Sequence, residues 1–474
     1  MKHTKIVATL GPVSGNKDMI REMAKAGANV FRLNFSHGDP EWRKSVITAI
    51  REISEETKNP IAILADLQGP RIRTEVMFPI DVKKGFMVRV CELAERTRFA
   101  AEDPIIALDT LGILGKVIVG HRILIEDGII GLVITKVEAG FVEAQAENDG
   151  TIKNRKGVIL PDTPLELPIL SVKDKEDLAF ILEQKLEYIG LSFVGSVADI
   201  ESVKQEMVSI AGPDAKKPLI CSKIERKVAL EHLGDIIRAS DAVMVARGDL
   251  GIEMPESEIA ILQKQIIAES LREMRPVIVA TQMMQSMVAN PRPTRAEVSD
   301  VSNAVIDHAD AVMLSEETAA GKYPVETIAT MREIIEKTEE SPFDDLYQAL
   351  DLNLKTEYAV MIRSVYELSQ SFKVKAILVL SMSGFTARLL SHFRPDARLL
   401  VATNSLETWR ELALVWGAEP HLFSGDKNLD TLIERFIVDL KKKGDLTTDD
   451  QVVVFYGRTP EQSTMKLVGI RTVH

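Results

Sequence analysis

The chain of 474 residues is too long for one ordinary hydrophobic core, and its length favours a large barrel with one or two smaller domains. The 58 Lys and Arg residues against 70 Asp and Glu give a net charge of -12, which argues against a nucleic-acid or anionic-membrane surface and favours a metal or small-molecule site. Cys91 and Cys221 lie in apolar runs, which excludes a disulfide framework and indicates a reducing compartment.

The N-terminus leads directly into a strand-like run, residues 4–10, with no signal-peptide pattern before it. No apolar run reaches the roughly 18 to 20 residues needed to span a bilayer. The sequence therefore predicts a cytoplasmic protein with no membrane or nucleic-acid partner.

Short aliphatic runs followed by helical stretches dominate the first 340 residues, and this alternation is typical of a parallel sheet with crossover helices. The runs are residues 6–10, 30–35, 61–67, 188–193, 218–224, 242–246, 277–280 and 311–314. Eight such units close a (β/α)8 TIM barrel, so we predict an α/β fold with its chemistry at the carboxyl ends of the strands. Two stacked open sheets are the alternative.

A long insert separates the third and fourth strands. Its apolar and polar residues alternate with period two, and it contains the turn pairs Asp127-Gly128, Ala139-Gly140 and Asp149-Gly150. Both features predict a β-rich module of hairpins. Its place over the barrel mouth favours a lid that excludes water, although an insertion without a role in the chemistry is the alternative. The predicted domains are residues 1–70 and 163–340 for the barrel, 71–162 for the lid, and 341–474 for a C-terminal α/β domain.

Polar residues collect at three predicted strand ends. In the second strand Arg32, Asn34 and Ser36 alternate with apolar residues, so they point to one face. A buried arginine there either holds an anion such as phosphate or makes a structural pair with a carboxylate.

The fifth strand ends in Lys223 and Glu225, which share a face, and Asp249 follows the sixth strand. Two carboxylates at one mouth suit Mg²⁺, and the ammonium can neutralise a phosphoryl group during transfer. A buried Lys-Glu-Asp salt network that serves only the fold is the alternative. Thr281, after the seventh strand, is either a reacting hydroxyl or a cap.

Together these segments resemble pyruvate kinase over nearly the whole chain. The resemblance is carried by residues 5–12, 32–38, 66 with 69–70, 72–74, 222–225, 246–251, 280–283 and 314–319. It implies Mg²⁺-dependent transfer of a phosphoryl group from phosphoenolpyruvate to ADP, giving pyruvate and ATP in the last step of glycolysis, with Mn²⁺ as an alternative metal.

The resemblance also implies a role for each matched residue. Lys223 stabilises the transferring phosphoryl group and the enolate, Arg32 meets the phosphate, and Thr281 protonates the enolate carbon, alone or through water with Ser315. Glu225 and Asp249 hold the metal. The substrate carboxylate is framed by Ala246, Gly248 and Asp249, and the nucleotide contacts are Asn34, His37, Arg73 and Lys156, of which Lys156 is otherwise a solvated lid charge.

One segment departs from the pattern of potassium-dependent members, which commonly read Asp-Thr-Lys-Gly-Pro-Glu. Here the sequence has Leu67 in place of the threonine and Arg71 in place of the acid. The guanidinium of Arg71 is expected to substitute for the monovalent cation, so we predict that K⁺ is not required. Leu-Gln followed by a basic residue also resembles the potassium-independent branch of the family.

The C-terminal region resembles the regulatory domain of the family, and a hydroxyl-rich loop that precedes a helix is typical of phosphate sites. This loop contains Ser381, Ser383, Gly384 and Thr386. A phosphorylated effector is expected there, with a helix cap as the alternative, and a second loop at residues 457–461 carries an acid. The resemblance further suggests a homotetramer.

Two other functions compete with this interpretation. A magnesium-dependent aldolase or lyase would use the same metal pair on a pyruvate enolate, but it would not explain the lid or the collar formed by Arg32, Arg73 and Lys223. A barrel retained only for binding is the second alternative, although every matched chemical position is intact.

Overall fold

The structure is a computed structural model of the chain, and it describes residues 2–100, 103–163, 165, 167–344, 357–423, 429–456 and 467–474. The first elements are two strand-and-helix units and a third strand, each strand buried along most of its length. These elements are β1 (Lys5–Leu10), α1 (Lys17–Ala26), β2 (Val30–Asn34), α2 (Pro40–Thr57) and β3 (Ala62–Asp66).

The insert then forms its own closed barrel of seven strands, in the order β10-β6-β7-β4-β12-β8-β9, with β11 and β5 paired outside it. Its alternating residues turn inward to a separate core that includes Ile106, Leu132 and Val142. The strands are β4 (Ile72–Glu75), β5 (Ile80–Val82), β6 (Met87–Glu92), β7 (Ile105–Leu108), β8 (Arg122–Ile125), β9 (Ile130–Glu138), β10 (Phe141–Ala146), β11 (Gly150–Ile152) and β12 (Gly157–Ile159).

The chain returns to the first barrel through five more strands and their helices. These are α3 (Val172–Glu183), β13 (Tyr188–Leu191), α4 (Val197–Ala211), β14 (Leu219–Ile224), α5 (Lys227–Glu231), α6 (Leu233–Ala239), β15 (Ala242–Ala246), α7 (Arg247–Glu253), α8 (Glu256–Arg272), β16 (Val277–Ala280), α9 (Arg295–Ile306), β17 (Ala311–Leu314), α10 (Glu316–Ala319) and α11 (Pro324–Glu339). The eight strands close in parallel as β1-β17-β16-β15-β14-β13-β3-β2. The predicted (β/α)8 barrel is confirmed, and the alternative of two open sheets is wrong.

The last region is a five-stranded sheet in the order β20-β19-β18-β21-β22, with its helices. Only β22 runs antiparallel to its neighbour. The elements are α12 (Glu357–Ser371), β18 (Ala376–Leu380), α13 (Phe385–Ser391), β19 (Arg398–Thr403), α14 (Leu406–Glu411), β20 (Ala418–Leu422), α15 (Leu429–Lys443), β21 (Gln451–Tyr456) and β22 (Val468–Thr472). The predicted C-terminal α/β fold is confirmed.

The C-terminal domain plugs the floor of the (β/α)8 barrel. The short 3-10 helix Leu412–Leu414 places Ala413 and Leu414 in the same buried cluster as Val7 and Met244 of the barrel lining. The hydroxyl of Tyr188, at the start of β13, donates to the backbone oxygen of Glu411 at 2.7 Å. The barrel lining and this domain therefore share one hydrophobic core.

Both cysteines are buried, in keeping with the apolar runs in which they lie. Across the residues that the structure describes, no helix is both long and apolar enough to cross a membrane.

Candidate active site

Four charged side chains meet at the carboxyl ends of three barrel strands. The ammonium of Lys223 (β14) lies 2.6 Å from Glu225 Oε1 and 3.2 Å from Asp66 Oδ1 (β3). Asp66 Oδ2 in turn accepts hydrogen bonds from the guanidinium of Arg32 (β2), one of them at 2.9 Å from Nε. The predicted alternative of an arginine–carboxylate pair is thus present as a contact. A buried salt network is also present, but its aspartate is Asp66, the partner of both cations, and not the predicted Asp249.

The electrostatics of this cluster keep the lysine charged. Burial disfavours its ammonium, but the carboxylates of Asp66, Glu225 and Asp249 outweigh burial and raise the pKa of Lys223 above its ordinary value. Burial alone would raise the pKa of Asp66, but the positive charges of Lys223 and Arg32 outweigh burial and lower this pKa below its ordinary value. For Glu225, burial raises the pKa and the charge of Asp249 adds to the rise, while Lys223 opposes it.

Ser192 is a site residue that the sequence reasoning missed. Its hydroxyl accepts a hydrogen bond from Lys223 Nζ at 2.9 Å and donates to the backbone oxygen of Leu67 at 2.7 Å. Phe193, the next residue, donates its N–H to Glu225 Oε2 at 2.8 Å. The segment that follows β13 therefore holds both the lysine and the glutamate. The signal in the sequence was a single serine near the end of the apolar run of residues 188–193.

Asp249 lies in the first turn of α7, immediately after β15. Ala246 is buried at the strand end, and the Gly248 N–H donates to Thr281 Oγ1 at 2.9 Å. The three residues predicted to frame a carboxylate are therefore adjacent at one helix start, although the Gly248 amide already has a partner.

Thr281 has a strained backbone, with φ +72°, and Gln282 follows at φ +54°. Left-handed φ is a true outlier for a β-branched residue and is typical of functional positions. Arg247 helps to hold this geometry, because its guanidinium donates to the Thr281 backbone oxygen at 2.6 Å and pairs with Asp300 at 2.7 Å. Arg247 had no role in the sequence prediction.

Ser315 caps the short helix after β17, and its N–H donates to Glu317 Oε2 at 2.7 Å. The other oxygen of Glu317 accepts the N–H of Met284 at 3.1 Å. This fully buried glutamate joins the loops that carry Ser315 and Thr281, so the two predicted proton-handling residues belong to neighbouring loops.

The acidic residues fit a magnesium ion held by few protein ligands. Glu225 Oε1 is buried, and its one contact among the described residues is the ion pair with Lys223. The charge of Asp249, the other predicted ligand, repels that of Glu225, as expected of two carboxylates at one site. Within the same described ranges, no group of three or more His, Cys, Asp or Glu side chains converges. Two carboxylates, completed by water and substrate, are a usual donor set for Mg²⁺.

The predicted nucleotide contacts lie on the side of β2 and β4. Asn34 Oδ1 accepts the Ser36 N–H at 3.0 Å and shapes the loop that presents the exposed His37. Arg73 Nη1 donates to the backbone oxygen of Arg155 at 3.0 Å. This bond joins Arg73 to the segment that contains Lys156 and leads into β12. Lys156 is ion-paired with Glu126 inside the lid, so it is not an unpaired solvated charge.

A cavity of about 880 Å³ separates the lid from the barrel mouth. Lid residues Asp127 and Gly157 line it together with Arg71 and Asp249. The lid turn at Gly128 packs against α7, since a Cβ atom built on Gly128 would lie 3.4 Å from Ile252 Cγ2. The insert thus covers the mouth where the charged cluster lies.

Arg71 is exposed at this cavity and makes no hydrogen bond or ion pair within the described part of the chain. Leu67 is buried and offers no side-chain oxygen near Asp66.

The hydroxyl-rich loop of the C-terminal domain precedes α13. Ser381 is buried, its N–H donates to the Ala402 oxygen at 3.0 Å, and Gly384 takes a left-handed φ of +72° as the cap of α13. Thr386 is also buried. The Arg388 guanidinium donates to the Ser383 oxygen at 3.1 Å. The second predicted effector loop, residues 457–461, lies outside the described residues.

Comparisons with known families agree with this site. The model described as "Pyruvate kinase, barrel domain" matches residues 1–328, and "Pyruvate kinase, alpha/beta domain" matches residues 359–468. The chain belongs to the pyruvate kinase family. Pyruvate kinases use Mg²⁺ to transfer a phosphoryl group from phosphoenolpyruvate to ADP, giving pyruvate and ATP, and this is the reaction of the chain. The aldolase alternative is not favoured.

Individual pyruvate kinases resemble the chain over its whole length. Those of Staphylococcus aureus (strain bovine RF122 / ET3-1) and Staphylococcus haemolyticus (strain JCSC1435) are each 36% identical, over 483 and 488 residues, with 100% of this chain and 81% of each relative covered. A crystal structure of a pyruvate kinase from Cryptosporidium parvum superposes with a TM-score of 0.93 at 29% identity, covering 100% of this chain and 96% of that one.

Proposed function

We propose that Lys223 is the catalytic cation of the phosphoryl transfer and that Arg32 binds the phosphate beside it. The carrying observation is the cluster of Lys223, Arg32, Asp66 and Glu225, in which carboxylates hold two cations at the carboxyl ends of the barrel strands. A preorganised, water-excluded charge stabilises the transition state more than a mobile one, because it needs no reorganisation during the reaction.

Glu225 and Asp249 are the proposed ligands of Mg²⁺, with Mn²⁺ as an alternative. When bound, the metal supplies charge neutralisation and orients the phosphoryl oxygens. The chain itself contributes the Phe193 N–H, which fixes Glu225, and the start of α7, which fixes Asp249. A bound cation would also lower the pKa of Glu225, since it replaces the repulsion of Asp249 with attraction.

Ala246, Gly248 and Asp249 are the proposed frame for the substrate carboxylate, since the start of α7 presents backbone N–H groups. Thr281, with Ser315 in the neighbouring loop, is placed to deliver the proton that converts the enolate to pyruvate. The strained backbone of Thr281 and the Arg247 contact support this role, because they hold the hydroxyl against the Gly248 amide.

Asn34, His37, Arg73 and Lys156 are the proposed contacts of ADP and ATP. The hydrogen bond from Arg73 to the Arg155 backbone brings Arg73 close to the segment of Lys156, and this supports binding of one nucleotide by both cations. Nucleotide phosphate would compete with the Glu126 carboxylate for the ammonium of Lys156, so nucleotide binding would break this ion pair.

We assign the chain to the potassium-independent branch, with Arg71 as the substitute for the monovalent cation. Arg71 has no competing partner within the described residues, and the buried Leu67 removes an oxygen ligand. Asp66, the remaining acid of that segment, is occupied by Arg32 and Lys223.

The domain assignment is also a proposal: residues 1–70 and 163–340 as the catalytic barrel, 71–162 as a lid, and 341–474 as a regulatory domain. The shared cavity and the Gly128 contact support the lid. The family resemblance supports a homotetramer and a phosphorylated effector at Ser381, Ser383, Gly384 and Thr386.

The decisive experiment is pyruvate formation from phosphoenolpyruvate, with and without ADP, across a panel of Mg²⁺, Mn²⁺, K⁺ and Na⁺ at constant ionic strength. ADP-dependent turnover that needs a divalent metal and is indifferent to K⁺ is expected. A large activation by K⁺ would overturn the branch assignment. In parallel, the increase in melting temperature with Mg²⁺ should disappear in Glu225→Gln and remain in Glu201→Gln, an exposed helix position.

A further inference from the structure

Asp174 lies where both connections between the barrel and the lid meet. It occupies the first turn of α3, the helix that follows the returning connection, and its side chain is completely buried. A buried carboxylate needs several hydrogen bonds to offset its lost hydration. Asp174 finds them on two chain segments that are far apart in sequence.

One carboxylate oxygen serves the outgoing connection. Asp174 Oδ1 accepts the N–H of Gln68 at 3.1 Å and the N–H of Gly69 at 3.3 Å, immediately before the lid. The other oxygen serves the returning connection, because Oδ2 accepts the N–H of Ser171 at 3.0 Å and its hydroxyl at 2.6 Å. All four contacts are donated to the carboxylate.

A helix cap explains only half of these bonds. In α4, Asp199 occupies the same position after the cap Ser196, and its described partners are the N–H groups of Gly195 and Ser196 and the Ser196 hydroxyl. The bonds of Asp174 to Gln68 and Gly69 cross more than a hundred residues of chain and have no counterpart at Asp199.

The segment that Asp174 holds is continuous with the charged cluster. The backbone oxygen of Leu67 accepts a hydrogen bond from the Ser192 hydroxyl, and this hydroxyl accepts a hydrogen bond from Lys223 Nζ. Gly69 packs so closely that a Cβ there would lie 2.9 Å from Phe193, the residue whose N–H fixes Glu225. A shift of residues 67–69 would therefore be transmitted to Lys223 and Glu225.

We propose that Asp174 is a positioning residue that ties the two lid connections into one pivot and fixes residues 67–71 over the catalytic centre. The proposal rests on the proposed role of residues 71–162 as a lid. Because both connections are bound to one carboxylate, the lid moves about a fixed point of the barrel, and each closure restores the same geometry.

Asparagine separates this role from a general loss of stability. A carboxylate has two accepting oxygens, whereas the asparagine amide has one acceptor and one donor. Since all four partners donate, Asp174→Asn can satisfy only one of the two connections. Asp199→Asn is the matched control, because it weakens an equivalent cap whose described partners are all local.

The test combines amide hydrogen exchange with steady-state kinetics on the full chain. In Asp174→Asn, exchange is expected to accelerate about tenfold or more on the side that the amide oxygen no longer reaches, either at Gln68 and Gly69 or at Ser171, which corresponds to the loss of hydrogen bonds of ordinary strength. The kcat and the KM for ADP are expected to change together by a similar factor, while Asp199→Asn leaves these readouts unaltered at a comparable loss of melting temperature. Asp174→Glu retains two acceptors and is expected to recover part of the loss; it also replaces the first variant if that one does not fold.

Unaltered exchange at all three amides, Gln68, Gly69 and Ser171, in folded Asp174→Asn, or equal kinetic changes in Asp199→Asn, would overturn the proposal. Accelerated exchange with unaltered kcat and KM would also overturn the positioning role. The unaltered chain is the separate check of the proposed function, because that function fails only if the chain itself does not form pyruvate with ADP.

Discussion

The ammonium of Lys223 in β14 lies 2.6 Å from the carboxylate of Glu225, the first residue after that strand. The pair joins the proposed transfer cation directly to a proposed metal ligand. A divalent cation that binds Glu225 would weaken its hold on the lysine, so metal loading and release of the ammonium toward the substrate are coupled.

Replacing Lys223 by methionine is expected to lower kcat by roughly two to three orders of magnitude or more, because the fixed positive charge at the transferring group is lost. The chain should still fold, since Glu225 can take up a proton when its partner is removed. Pyruvate formation and thermal unfolding measure the two effects. Lys44→Met, at an exposed lysine of α2, is the control, and near-normal activity of Lys223→Met would refute the assignment.

Replacing Arg71 by glutamate is expected to reduce activity several-fold in potassium-free buffer and to make it respond to K⁺. Adding Leu67→Thr should strengthen that response, because the threonine hydroxyl supplies an oxygen ligand. The measurement is turnover at increasing K⁺ with Na⁺ held as the ionic-strength control. Equal activity of both variants in the two salts would show that Arg71 does not take the place of a cation.

Thr281→Val removes the hydroxyl while keeping the β-branched shape, and it leaves the Gly248 N–H without its acceptor. We expect kcat to fall about a hundredfold, in the range typical of a lost proton-transfer group. Thr281→Ser keeps the hydroxyl and should remain within about tenfold of the original rate. If the valine variant matches the serine variant, the proton comes from another group.

The buried His392 is expected to make the free energy of unfolding fall at acid pH. It is fully buried with neither ring nitrogen hydrogen-bonded among the described residues, and burial, with Arg394, Arg275 and Arg388 nearby, lowers its pKa to about 4 against the attraction of Asp310. The folded state therefore favours the neutral ring. This contribution is complete above the unfolded pKa of about 6.5 and is lost as the pH falls toward 4, by up to about 3 kcal/mol.

The measurement is the melting temperature at pH 7 and pH 4.5 for the original chain and for His392→Phe, whose ring cannot be protonated. The variant should lose less stability between the two pH values. An identical pH dependence of both proteins would contradict the assignment of this acid sensitivity to His392.

Leu414 should be important for the stability of the (β/α)8 barrel, although it belongs to the C-terminal domain. Leu414→Ala removes a fully buried side chain from the floor of the barrel and is expected to cost about 2–5 kcal/mol. Calorimetry should give one lowered transition rather than a separate early transition of the C-terminal domain. Leu467→Ala, at an exposed position, is the control, and an unshifted melting temperature for Leu414→Ala would show that the plug is not part of the barrel core.

The eight barrel strands and the insert after the third strand were predicted from the sequence, and the structure contains both. The polar residues predicted at the strand ends lie at those ends, and their chemical roles stay predictions. Three barrel strands, residues 242–246, 277–280 and 311–314, have the predicted bounds, because buried parallel strands are short aliphatic runs with distinct ends. Most of the lid strands β4 to β7, and β20, were not predicted, since runs of three to six residues are too short to show a clear period.

The tertiary structure alone decided which charges pair. Period-two spacing placed Lys223 beside Glu225, but the pairing of Asp66 with Lys223 and Arg32 depends on which strands adjoin once the barrel closes. The same holds for Ser192 beneath the lysine, for Asp174 between the two lid connections and for Leu414 in the barrel floor. Sequence periodicity fixes which face of its own element a side chain occupies, whereas contacts between distant segments exist only after the chain has closed on itself.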